Sequence, residues 1–157
     1  MKKIVLALAI FGAFSLAEDA NLTKPTQGAV DPVYQLPINK YRKFSTELTL
    51  KNGKKIEFAS VKSMMNFYFF TSRYPQLGAK SRQDIDKMFV KSYLSGKKMD
   101  AKNAWYVFGS KLIGPHGDDL IPLASDMEVQ LFKKKYGGTR VMRIEKFSAG
   151  LIRYLDM

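Results

Sequence analysis

The chain carries the same construction twice. Ile56-Glu57-Phe58-Ala59-Ser60 closes an extended segment and runs into an apolar helical pattern, and Ile121-Pro122-Leu123-Ala124-Ser125 does the same further on. Each is preceded by one strand-like segment and followed, after its helix, by another. A unit of strand, strand, helix, strand built twice predicts an α+β fold of two similar small halves packed together. The halves span residues 43–95 and 104–157, and the second ends in an extra helix.

Within the first half, Phe44–Leu50 alternates in part, with Leu48 and Leu50 on one face. Lys51-Asn52-Gly53-Lys54 then supplies an Asn-Gly turn of the tight type I′ kind, and Ile56 and Phe58 continue the hairpin. Ser60 is placed to cap a helix. Val61, Met64, Met65 and Tyr68 stand at i, i+3, i+4 and i+7, and Phe67, Phe69 and Phe70 widen that face, so the helix is expected to be well buried before Pro75 stops it. A loop over 76–84 and a strand through Met88, Val90 and Tyr93 follow, with Ser95-Gly96 as a turn.

The second half opens on the strand Trp105–Phe108. After a glycine-rich loop, a short strand over Leu120–Leu123 contains Pro122, which assigns it to a sheet edge. Ser125 with Glu128 three residues on reads as a capping box. The helix runs to Tyr136, its C-terminal end matched by Lys133 to Lys135, and Gly137-Gly138 is suited to a left-handed stop. Thr139–Ile144 is expected to be a strand, and Ser148 to cap a last helix ending near Leu155.

The N-terminal residues follow the pattern of a secretory signal: Lys2-Lys3, the uncharged apolar run Ile4–Leu16, and the small residues Ser15 and Ala17 just before Glu18-Asp19. The run is shorter than the ~18 apolar residues of a membrane-spanning helix. Residues 1–17 are therefore expected to be a cleaved signal peptide, leaving 140 of the 157 residues as an exported, soluble, periplasmic chain with no transmembrane span. With no cysteine it is not a lipoprotein. Residues 18–42, with Pro25, Pro32 and Pro37, read as mostly irregular.

The absence of cysteine also excludes disulfides, thiolate zinc sites and thiol nucleophiles. The formal charge of +12, or +10 without Lys2 and Lys3, comes from lysines scattered along the chain. Such a surface suits an acidic protein or solubility alone, and export argues against nucleic acid. No nucleophile elbow, catalytic triad or phosphate-cradling glycine pattern is present, so the chain reads as a non-enzyme. Two donors remain for a soft metal. Gly114-Pro115-His116-Gly117 holds the one imidazole of the chain in a short loop, and Met64 offers a thioether. A solvated loop histidine and a core methionine are the alternatives for these two residues.

Ala104-Trp105-Tyr106-Val107-Phe108-Gly109-Ser110 followed by Gly114-Pro115-His116-Gly117, together with Tyr136-Gly137-Gly138 and Asn52–Ser60 followed by Met64, resembles the NosL accessory proteins of nitrous oxide reductase. The resemblance covers most of residues 36–146. It implies two similar α+β halves and an exported Cu(I)-binding protein that supplies copper for the copper–sulfide centre of nitrous oxide reductase. It also implies losses. The Cys-x-x-Cys-Gly-Met segment of such proteins falls near Val33–Ile38, where this chain has neither residue type. Their cysteine after Phe is Ala59, and the Met of their Gly-Pro-Met-Gly is His116; Met64 matches.

The function expected is therefore a copper-handling accessory protein that binds Cu(I) through His116 and Met64 and passes it to nitrous oxide reductase or another copper-handling protein. The alternative is a metal-free interaction module of the same fold that docks an acidic partner through its lysines.

Overall fold

The computed structural model describes residues 25–157; the expected signal peptide lies outside them. Strands β1 (Thr46–Leu50) and β2 (Lys55–Phe58) form an antiparallel hairpin, and helix α1 (Val61–Phe69) follows. Strand β3 (Ile85–Lys91) pairs on the other side of β1, and β4 (Lys98–Asp100) extends the sheet to the order β2-β1-β3-β4. The second half repeats the plan. β5 (Trp105–Phe108) pairs with β6 (Ile121–Leu123), α2 (Asp126–Tyr136) follows, and β7 (Arg140–Met142) returns beside β5, giving β6-β5-β7. In both sheets the first strand is central and the strand after the helix lies on its far side. Helix α3 (Ala149–Leu155) ends the chain and packs on α1.

The local signals explain why these segments form. Ser60, Ser125 and Ser148 each accept a backbone N–H three residues on, satisfying an amide that the first turn leaves open. Leu48 and Leu50 of β1 and Ile56 and Phe58 of β2 are buried against Val61, Met64, Met65 and Phe67 of α1 in one main core. β5 is covered on both faces: Tyr106 belongs to that core, while Val107 lies with Ile121, Leu123, Val129 and Phe132 under α2. Alternation along one strand thus joins the two halves. β6 is an edge strand, as Pro122 requires, and the Pro122 carbonyl accepts from the Tyr93 amide at 2.9 Å.

Four local expectations are corrected. The β1–β2 turn is a three-residue loop: Leu50 N–H bonds Lys54 O at 2.9 Å and Gly53 N–H bonds Leu50 O at 2.8 Å. Gly53 alone takes positive φ, at +85°, whereas a type I′ turn needs it at Asn52 as well. α1 ends at Phe69, well short of Pro75. The capping box at α2 is half formed, because the Glu128 carboxylate accepts instead from Ala124 N–H at 2.7 Å and the Ser92 hydroxyl at 2.5 Å. Gly137 ends α2 with φ +71° and ψ −157°, outside the left-handed helical region.

Candidate metal centre

The site begins with a carboxylate. Asp31, wholly buried, accepts from Val33 and Tyr34 N–H through Oδ1, both at 2.8 Å. Its Oδ2 accepts from Ala59 N–H and the Ser63 hydroxyl, both at 2.6 Å. The turn over 31–35 is thereby riveted to the start of α1. That turn presents Tyr34, whose ring lies flat on the His116 imidazole with centroids 4.0 Å apart and planes 11° apart.

The His116 loop is closed by Gly114 N–H to Gly117 O at 2.8 Å. It is tied to α1 twice. The Lys62 N–H donates to Asp119 Oδ1 at 2.9 Å, and the Lys62 ammonium donates to the His116 carbonyl. The same ammonium donates to the Leu155 carbonyl at 3.0 Å and lies 3.7 Å from the Asp156 carboxylate, with the lysine side chain wholly buried. Asp156 in turn accepts from the Tyr34 hydroxyl at 2.5 Å and from the Asn66 amide at 2.9 Å. A buried cation is costly unless it is paired and hydrogen-bonded, and this one has both kinds of partner.

Electrostatics follow from this packing. Burial, reinforced by the bond to Asp156 and its charge, pushes the Tyr34 phenol far above its usual range. The Tyr34 hydroxyl is thus held as a donor to the Asp156 carboxylate. Burial pushes the Asp119 carboxyl up to about 6, against opposing pulls from the Ser60 hydroxyl and the Leu120 and Lys62 amides. Asp119 Oδ2 has no hydrogen-bond partner.

His116 is exposed and lines an open concavity of about 640 Å³, whose opposite wall is the C-terminal turn over Tyr154–Met157. Stacking leaves the ring edge free, and an imidazole coordinates through its edge nitrogens. Met64 is placed differently: it is 0% exposed, within the main core. At about 100° per residue, positions two apart on a helix face away from each other. Met64 thus leaves α1 on the side opposite Lys62, the residue that holds the His116 loop. Among the described residues, no three His, Cys, Asp or Glu side chains gather where they could hold a metal.

Asp31, Tyr34, Lys62, Asp119 and Asp156 build the site around His116, and none of them is among the candidate donors read from the sequence. Lys62 is the one that left a trace, as a charge within an otherwise apolar helical stretch. The segments singled out from the resemblance do converge: 33–38 through Tyr34, the junction at Ala59 through Asp31, and 114–117 through Lys62.

No match was found among the curated proteins. Among solved structures, the crystal structure of the copper chaperone NosL from Shewanella denitrificans superposes with a TM-score of 0.65 at 17% identity, covering 80% of this chain and 93% of that one. The solution structure of apo-NosL from Achromobacter cycloclastes gives a TM-score of 0.47 at 18% identity, covering 68% and 87%. The first likeness bears on the fold. The NosL family model matches residues 22–152, and on that span the chain belongs to the NosL family.

Proposed function

We propose that this protein handles copper outside the cytoplasm, taking Cu(I) as cargo and delivering it for assembly of the copper–sulfide centre of nitrous oxide reductase. Family membership supports the general role. The observation that carries it to this chain is the meeting of the 31–35 turn, the start of α1 and the 114–117 loop at one exposed imidazole. His116 is the proposed donor at the surface and Met64 the second. Met64 reaches an ion only when the first turns of α1 loosen, since its thioether has no exposure. Neutral imidazole and thioether suit soft Cu(I) and offer it no charge, which favours a site that gives the ion up again. No helix among the described residues is long and apolar enough to cross a membrane, and the proposed location is the periplasm, after removal of the signal peptide.

The test is a Cu(I) competition titration of purified protein and its His116→Ala variant against a chromophoric chelator. One equivalent bound, with affinity lost in the variant, is the expected result. Equal affinity in the two proteins removes the loop from the function.

A second reading is a metal-free module that docks an acidic protein through its lysines, and the formal charge of +12 supports it. It predicts no Cu(I) binding by wild type, and association with an acidic partner that slows steeply as salt rises.

A further inference from the structure

We propose that Met157 supplies an accessible thioether for the copper site, seating Cu(I) between its sulfur and the His116 imidazole across the concavity that both residues line. This rests on the copper-handling reading above, and it names a donor that needs no opening of α1.

The two walls of the concavity are held in register by one buried group. The Lys62 ammonium bonds the carbonyls of both His116 and Leu155, so the backbone beside the imidazole and the backbone two residues before Met157 share a single donor. A second tie runs in parallel: Tyr34 stacks on His116 and bonds Asp156, the neighbour of Met157. The Met157 amide itself donates to the Tyr154 carbonyl at 3.4 Å. The backbone on both sides is thus set before any ion arrives, which lowers the ordering cost of binding.

The side chains themselves are free to act. Met157 is 95% exposed, so its thioether is committed to no packing. An exposed methionine gains little from hydration, and a soft ion is a partner that its sulfur binds well. Asp118 lines the same concavity and places a negative charge at its edge that draws in a cation. The positive charge of Lys62 is answered by Asp156 at 3.7 Å. Two neutral donors satisfy a closed-shell monovalent ion such as Cu(I), whereas zinc asks for four ligands.

Two measurements on the purified full chain test the proposal. In the first, the chelator competition is run on wild type, Met157→Leu, His116→Ala and, as a control on a remote exposed thioether, Met127→Leu. Met157→Leu is expected to weaken Cu(I) binding about tenfold or more, and Met127→Leu to leave it unchanged. In the second, protein labelled at its methionine methyl groups is titrated with Ag(I), a redox-inert stand-in for Cu(I). The Met157 methyl resonance is expected to move, with saturation at one equivalent. Wild-type affinity in Met157→Leu alongside a loss in His116→Ala overturns the role of Met157 and leaves the copper-handling reading standing. Movement of the Met64 methyl alone does the same. No Cu(I) binding by wild type overturns both.

Discussion

The backbone amide of Lys62 donates to Asp119 Oδ1 at 2.9 Å, so a residue of the second half caps a helix of the first. Ser60, the helix's own cap, is occupied by the Ser63 amide. The second oxygen of Asp119 is packed where it finds no donor, beside Gly114, whose backbone leaves no room for a side chain: a Cβ there would stand 2.8 Å from Asp119 Cβ. The loop that carries His116 is therefore bounded at its far end by a carboxylate locked onto α1. Its position is a property of the contact between the halves.

That carboxylate makes stability depend on pH. Its folded pKa is raised from 3.8 to about 6 by burial. As pH rises from about 4 to about 6, the unfolded chain releases this proton while the folded chain holds it, so stability falls through that window by at most about 3 kcal/mol. Asp119→Asn keeps an oxygen acceptor for the amides and removes the titration. Measured against wild type by urea unfolding, the variant is expected to gain up to about 3 kcal/mol between pH 4 and pH 7. A difference that stays constant across that range would show that Asp119 ionises as an ordinary carboxyl.

Lys62 is the second hinge of the arrangement. Lys62→Met fills the same space but strips the carbonyls of His116 and Leu155 of their donor and leaves Asp156 without its cation. Unpaired buried acceptors cost about 1–3 kcal/mol each, and a loss of about 3 kcal/mol in chemical denaturation is expected for the pair, part of it relieved by water from the concavity. Amide exchange over Gly114–Asp119 should quicken as well. A variant as stable as wild type, with unchanged exchange, would show that the ammonium does not hold the loop.

The elements that could be read from the sequence are those whose signals are local. Ser60, Ser125 and Ser148 cap where expected, Trp105–Phe108 is a strand to the residue, and Pro122 lies at an edge. The duplicated order of strands and helices became two sheets of matching topology. β4, with only Lys98-Met99-Asp100 and no alternation to mark it, had no such signal. Glu128 escaped its capping box because Ser92, from the turn before β4, competes for the carboxylate from outside the window that the motif describes. The site was harder for the same reason. Periodicity assigns a lysine to solvent, and the partners that bury Lys62 lie 54 and 93 residues away in sequence. Asp31 looks like a turn residue before Pro32, and half of its role is the turn; the other half is Ala59 and Ser63, which no spacing reveals.

Asp31 gives the third prediction. Its two oxygens take four hydrogen bonds in a site without water exposure. Asp31→Asn replaces one acceptor oxygen by a donor facing donors. Hydrogen bonds to a charged group contribute about 1.5–3 kcal/mol each, so a destabilisation of about 3 kcal/mol or more is expected in urea unfolding. The 31–35 turn should come away from α1 and release Tyr34 from His116, seen as a change in the ring resonances of both residues. Retention of the ring contact in the variant would show that the turn is held by other means.

The last prediction concerns which ion the site prefers and how protons compete for it. A thioether contributes to a Cu(I) site and almost nothing to a zinc site. With no three His, Cys, Asp or Glu side chains gathered among the described residues, Zn(II) finds no set of three hard or borderline donors around His116. Excess Zn(II) is therefore expected not to displace Cu(I) in a competition titration. Protons do compete, because an imidazole must be neutral to coordinate, whereas a thioether does not titrate. Lowering the pH should therefore weaken Cu(I) binding by wild type. In His116→Ala the residual binding should be weaker throughout and flat with pH. A wild-type affinity that ignores pH, or one that Zn(II) abolishes, would mean that the ion is held by donors other than an imidazole and a thioether.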